Sequence, residues 1–385
     1  MARFTVLLLS VGWISSLFAP SASASCPFMC TCSGDTAQCG GISSLTGLVL
    51  PESIRRVIIS GGALPLIKPG AFGNKTEHVQ FNGCKIGDIQ PHAFSNLQNL
   101  KTLEFHGSSI DRILPCGIHA ISNAESIGFF GSGIREIQAG GISDIASLGN
   151  LTVSSSIITT VGSFGFDFVQ TEILAITYCS VDFIKTAAFS NIYDVKSFIL
   201  SGISSKSIEA GAFYRVKNFE SVVINGNFRG LQHNTLMELR EATPGNHNGF
   251  QFENSIIACD CHSAPLLDYV QNNPTSIDGQ VLCSITSRPI QNVKIQEICP
   301  GYRRETYCTQ VTLTPPTCSS VVGNTSSLAA YEETICPTKP RRVDLGANGR
   351  QEQSDPNRGS GPLMARGVLI ALLTVCANTA SSNLL

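Results

Sequence analysis

One apolar position recurs through the middle of this chain at nearly constant intervals. Val57, Val79, Leu103, Ile127, Leu151, Leu174, Phe198 and Val222 are separated by 22, 24, 24, 24, 23, 24 and 24 residues. A fixed period of this length signals stacked repeats, because one such unit cannot bury its apolar face alone. Two residues later a second series reads Ile59, Phe81, Phe105, Phe129, Val153, Ile176, Leu200 and Ile224. Residues two apart share one face of a strand, so each pair predicts a short strand with its apolar side turned inward. Five residues further, Leu64, Ile86, Ile110, Ile134, Ile158 and Val181 form a third series, which fails at Ser205 and Arg229. A fourth comprises Phe72, Phe94, Ile118, Ile142, Phe166, Phe189 and Phe213 and belongs to the return path. Eight parallel strands would build a sheet roughly 35–40 Å long in its stacking direction.

The pattern L-x-x-L-x-L-x-x-N-x-L of the leucine-rich-repeat family maps onto Leu100, Leu103, Phe105, Ser108 and Ile110. The chain resembles that family over about residues 26–300, with Ile, Val and Phe often replacing leucine. The resemblance implies an α/β-type solenoid: a curved leucine-rich-repeat horseshoe with a parallel β-sheet on its concave face and a disulfide-bonded cap at each end. The family's Asn ladder, which satisfies backbone groups inside the turn, falls here on Gly62, Cys84, Ser108, Ser132, Ser156, Cys179, Ile203 and Asn227. Gly62 and Ile203 have no side-chain polar atom for that task. Weaker order is therefore expected around the repeat of Ile203.

Fifteen cysteines are concentrated at 26–39 and 259–299, with a looser group at 308–336. Dense pairing of this kind requires an oxidising compartment. Cys26-x3-Cys30-x-Cys32-x6-Cys39 resembles the N-terminal cap of extracellular leucine-rich-repeat proteins. That resemblance implies Cys26–Cys32 and Cys30–Cys39. Cys259-Asp260-Cys261, Cys283 and Cys299 resemble the C-terminal cap of Slit-, Toll- and lamprey variable-receptor-like proteins. This in turn implies Cys259–Cys283 and Cys261–Cys299, with Leu266-Leu267-Asp268-Tyr269 in a short helix. No metal is expected, since the first cluster lacks the paired C-x2-C spacing of zinc sites. Cys84 and Cys179 read as buried ladder residues rather than reactive thiols. Cys116, Cys308, Cys318 and Cys336 leave two outcomes open. One bridge could tie the tail to Cys116; the favoured reading pairs two tail cysteines and leaves one over.

The ends of the chain fit secretion. Arg3 precedes the mostly apolar run Phe4 to Ala19, and Ala22-Ser23-Ala24 is a small-x-small site predicting cleavage before Ser25. The alternative is an uncleaved signal anchor. Near the C-terminus, Gly359-Ser360-Gly361 follows a polar stretch and precedes a short apolar run ending at Ala377. Small residues, a spacer and a short apolar tail mark a glycosylphosphatidylinositol (GPI) attachment signal, with Gly359 as the modified residue and Asn357 next. A transmembrane helix is the alternative, although the run is shorter than the roughly 20 residues that a span needs. The expected organisation is a signal peptide at 1–24, N-terminal cap at 25–50, eight repeats at 51–240, C-terminal cap at 241–300, disordered stalk at 301–359 and attachment signal at 360–385.

Strand residues between the core positions should face the concave side. Among them Gln80, Glu104, His106, Phe130, Tyr178, Ile199 and Val223 are candidates for binding, because aromatic and apolar side chains there are interface anchors. The alternatives are ordinary strand formers, or a loop site at 241–254 beside the C-terminal cap. Sequons at Asn74, Asn150 and Asn324 predict glycosylated surface positions. A glycan on Asn150 would block part of the concave face. His78, His92, His106 and His119 are scattered along the repeats. Glu104 and His106 share a strand face, but no nucleophile accompanies them, and H-E-x-x-H, G-x-S-x-G and phosphate-loop patterns are absent. No catalytic activity and no cofactor are therefore expected. With 26 Lys+Arg against 28 Asp+Glu, the chain has no excess of positive charge for nucleic acid. The reading is a cell-surface recognition or adhesion protein, binding an extracellular protein or glycan and held to the membrane by a GPI anchor. A secreted matrix-organising protein and a single-pass receptor ectodomain are the alternatives.

Overall fold

The first two apolar series pack as one wall of a parallel β-solenoid of about ten turns. The computed structural model describes residues 26–95, 97–232, 235–243, 249–272, 280–303, 309–313, 318 and 331–335. On the first face, strands at 56–60, 78–82, 102–106, 126–130, 150–154, 173–177, 197–201 and 221–224 pair in parallel and in register. Val57, Val79, Leu103, Ile127, Leu151 and Leu174 are all fully buried. Behind them Phe81, Phe105 and Phe129 stack with ring centroids 4.9 Å apart, which is the strand spacing itself.

The return path is also β-structure. A second parallel face runs through 63–67, 85–89, 109–113, 133–137, 157–161 and 180–184. A third begins at Ile118–Ser122 and continues through Ile142, Phe166, Phe189 and Phe213. β-Branched and aromatic residues at these positions favour strands over helices. The longer described helices, Thr235–Glu241 and Ala264–Asn272, lie at the C-terminal end.

Serines continue the ladder from coil to coil. The Ser108 amide donates to Ser132 Oγ at 3.2 Å, and the Ser132 amide to Ser156 Oγ at 3.0 Å. Ser132 Oγ in turn bonds the Phe105 carbonyl at 3.1 Å. Replacing Ser132 by alanine leaves buried backbone groups unsatisfied and should cost about 1–3 kcal/mol. Urea unfolding of Ser132→Ala would check this; an unchanged midpoint would rule it out. Cys84 and Cys179 occupy the same ladder, with thiols bonded to the Gly61 and Thr177 carbonyls at 3.2 Å each. Burial pushes both thiols above their ordinary range.

Three sequence expectations need correction. At Ile203 the ladder is interrupted, yet the strand Ser197–Ile208 runs through unbroken, with a register shift between Leu200 and Ile203. That shift absorbs one residue, so Gly226 rather than Asn227 pairs with Ile203, and Phe228 rather than Arg229 pairs with Ser205. Phe228 is buried. Second, the stretch read as a loop at 241–254 contains the strand Phe250–Phe252, which adds another coil against Val222–Ile224. The helix at Thr235–Glu241 lengthens that coil and hides its period.

The third concerns Cys116. It is bonded to Cys318, not left over, so the chain beyond the C-terminal cap returns to the third face. The segment from Cys299 to Cys318 reaches about 65 Å when extended, ample for that return. Thr309–Leu313, within that segment, and Tyr331–Ile335, beyond it, form an antiparallel pair.

Disulfides Cys26–Cys32 and Cys30–Cys39 staple the first end, where strand Cys30–Ser33 runs antiparallel to Thr36–Gly40. Cys259–Cys283 and Cys261–Cys299 staple the other, around the helix that buries Leu266, Leu267 and Val270. Cys308, Cys336, Asn324 and Gly359 lie outside the described residues. Among those described, no helix is long and apolar enough to cross a membrane.

Candidate functional site

Two rows of side chains point outward from the first face, between and just after the core positions. The first row pairs Ile58, Gln80, Glu104, Gly128, Thr152, Ala175, Ile199 and Val223 across successive strands. The second pairs Ser60, Asn82, His106, Phe130, Ser154, Thr177 and Ser201. Strand alternation puts them on the outer surface of this sheet, the face that the repeat family makes concave.

The candidate binding residues fall into two groups. Glu104, His106 and Phe130 form a connected cluster, and Gln80 stands on the neighbouring strand, paired with Glu104 in the register. Gln80 Nε2 donates to Asn82 Oδ1 at 2.9 Å, and His106 Nε2 meets Glu104 Oε2 at 2.9 Å. The His106 and Phe130 rings stack, 4.9 Å between centroids and 21° between planes. Phe130 also folds back over Gly128, so closely that a Cβ at 128 would collide with its ring. Glycine is needed there to make room for the edge of the ring. Ile199 and Val223 pair with each other four and five strands from Glu104, about 19 and 24 Å along the stack.

Tyr178 stands at the corner between the groups. Its backbone is left-handed (φ 54°), at a repeat position occupied by glycine in most other coils. A non-glycine residue there costs about 1–2 kcal/mol. The side chain is nevertheless 65% exposed. Its ring rests on Gly202, where an added Cβ would lie 2.8 Å from Cδ1. A strained, exposed aromatic is a signal the sequence carried in its glycine column. The floor between Phe130 and Tyr178 is made of Thr152, Ser154, Ala175 and Thr177, with Thr177 Oγ1 bonded to Ser154 Oγ at 3.1 Å.

A groove of about 900 Å³ also lies on the second face, lined by residues including Pro65, Gly87, Asp111, Arg135 and the 61%-exposed Ile157. Asp111 and Arg135 pair with each other there.

On the third face, the structure gathers histidines that looked scattered. The His92 and His119 rings lie 5.6 Å apart. His119 Nδ1 is 3.3 Å from Ser143 Oγ and 3.4 Å from Asp144 Oδ2. Serine and aspartate approach the same ring nitrogen, and Ser143 Oγ bonds the Gly140 carbonyl at 2.9 Å. A nucleophile–base–acid relay needs them on opposite nitrogens, so this cluster is no triad. Burial, opposed by Asp144, keeps His119 below its ordinary value.

Nearby Asp167 is buried and accepts from Ser190 at 2.6 Å and Asn191 at 2.8 Å. Burial first, then the charge of Asp144, raises its pKa above the ordinary 3.8 despite those bonds. A carboxyl raised on folding takes up a proton between its unfolded and folded values. Its stabilising effect is therefore present at low pH and lost as pH rises through the folded value. Asp167→Asn should remove that loss. At neutral pH the variant is expected to be at least as stable as the parent, and the advantage should vanish in acid. Thermal unfolding at several pH values measures this; a variant less stable at neutral pH contradicts it.

Residues 45–159 and 119–241 match the family described as BspA type leucine rich repeat region, in six copies. The two matches together cover more than half of the 385-residue chain. Over 88 residues the chain is 32% identical to human Reticulon-4 receptor-like 2, a match that covers 22% of this chain. The chain spans only 21% of the length of that relative. It also aligns with the crystal structure of human 5T4, or trophoblast glycoprotein, at 16% identity and a TM-score of 0.38, covering 71% of this chain and 99% of that one. The periodic core, the ladder and the family match lead to one assignment: the chain belongs to the leucine-rich-repeat proteins of the BspA type.

Proposed function

We propose that this chain is a non-catalytic extracellular recognition or adhesion protein. It binds its partner, a protein or glycan, on the concave face and is held at the cell surface by a GPI anchor at Gly359. One observation carries the reading: the register brings Glu104, His106 and Phe130 into a single cluster, with the exposed Tyr178 two coils further on. Solvent-facing strands do not need such anchors, whereas interfaces use them. The five disulfides support an oxidising, extracellular location. Asn74 and Asn150 are both exposed and open to glycosylation, and the sequence supplies a third sequon at Asn324.

Glycan masking tests the choice of face. Ser154→Asn creates the sequon Asn-Ser-Ser in the middle of the concave rows and leaves the native sequon at Asn150 intact, and Ile157→Asn creates Asn-Ile-Thr in the groove of the second face. Adhesion of cells displaying the full chain to a layer of unmodified cells should be lost with the first mask and kept with the second. The reverse pattern would move the site to the groove. Phosphatidylinositol-specific phospholipase should release the full-length protein from the same cells. Retention on the membrane would sink the anchor, and appearance in the medium without lipase would favour a secreted protein.

A further inference from the structure

His106 stacks on one face of the Phe130 ring, and among the described residues no aromatic ring stacks on the other. The register sets the coil of Thr152 and Ser154 on that side. The side chains in that coil and the next are short: Thr152, Ser154, Ala175 and Thr177. Phe130 therefore stands as a wall at one side of a shallow bay. Tyr178 and Ile199 close the opposite side, two and three coils away, about 10–14 Å along the stack. Behind the wall, Glu104 holds His106 and His106 holds Phe130, so the ring is braced before any ligand arrives.

The chemistry of the bay is selective. Its floor presents the hydroxyls of Thr152, Ser154 and Thr177, with Ser201 beside Ile199. Neither concave row contains a Lys or Arg, and Glu104, behind the wall, is their one carboxylate. Arg56 stands only at the start of the first full coil's strand. Within the two rows a sulfated or sialylated ligand would find no cation to meet it. A flat face of C–H groups edged with neutral hydroxyls fits these surroundings: the aromatic wall takes the apolar face and the floor takes the hydroxyls.

We propose that this bay binds a neutral glycan, with Phe130 as the stacking platform and Thr152, Ser154 and Thr177 as hydroxyl partners. The proposal rests on the concave face being the recognition face. Glu104 and His106 act as positioning residues that fix the platform.

The test uses cells displaying the full chain and fluorescent multivalent probes carrying neutral oligosaccharides, with sialylated and sulfated probes in parallel. Neutral probes should bind, and the anionic ones should not. Phe130→Ala should weaken binding about tenfold, and Phe130→Tyr should retain it. Thr177→Val keeps the shape of the floor, removes one hydroxyl, leaves every sequon intact and should weaken binding about fivefold. Antibody staining for surface display separates lost binding from lost folding. Failure of every neutral probe, or binding insensitive to both Phe130→Ala and Thr177→Val, overturns the glycan proposal. If the Ser154→Asn mask still abolishes adhesion in that case, the concave reading stands and the partner is a protein surface. If adhesion survives the mask, the concave reading fails as well.

Discussion

Cys318→Ser should lower the unfolding free energy by about 5 kcal/mol, the largest loss expected from any single side chain in this protein. The bond from Cys116 to Cys318 spans 202 residues of sequence and encloses most of the solenoid. Cross-linking removes loop-closure entropy from the unfolded ensemble, and that term grows with the logarithm of the loop. The cap bridges span only 6, 9, 24 and 38 residues, so each contributes less by this route. Cys116 itself is buried, and its thiol would stay inside the fold of the variant. Denaturant unfolding of parent and variant under non-reducing conditions measures the loss. A shift of under about 1 kcal/mol would mean that strain in the native state or residual structure in the unfolded chain cancels the entropic term.

The second large effect is expected at the centre of the core. Phe105 is fully buried and stacks on Phe81 and Phe129, 4.9 Å from each. Phe105→Ala should cost about 3–5 kcal/mol through lost burial and the cavity it leaves. With the edge of Phe94, 6.2 Å away, Phe105 makes three ring contacts, each worth about 0.5–1.5 kcal/mol, and these push the loss toward the upper end. The column also couples coils: each ring contacts its neighbours only, so removing the middle one weakens two interfaces at once. Phe105→Leu refills most of the volume and should cost about half as much. Urea midpoints for both variants check the ranking. Equal losses for alanine and leucine would mean that the rings matter for shape and not for volume.

Most of the solenoid was legible in the sequence because each coil repeats the same physical demand. Val57 and Val222 sit in the same buried slot many coils apart, and both face it with an apolar side chain. Legibility ended where the coil length changed. One residue absorbed at Ile203 moved the core position to Phe228, and a helix inserted at Thr235–Glu241 concealed the coil of Phe250 and Phe252. Spacing also carries no information about a contact such as Cys116–Cys318, which depends on where the tail travels after leaving the repeats. At the candidate site, alternation along the strands was enough to pick out Glu104, His106 and Phe130. The fold of Phe130 over Gly128, and hence the orientation of its ring, depends on a side-chain rotamer that no periodicity encodes.

The bridge between Cys116 and Cys318 also decides how the molecule responds to tension. When the two ends of the chain are pulled apart, the covalent path runs from the N-terminal cap to Cys116, crosses the sulfur atoms and leaves at Cys318. Everything between those two residues hangs on the path as a closed loop and is not stretched. The coils of Phe130, Tyr178 and Ile199 all belong to that loop. Under load, only the coils before Cys116 pay out their length, and the face proposed to hold a partner keeps its form until that bridge is reduced.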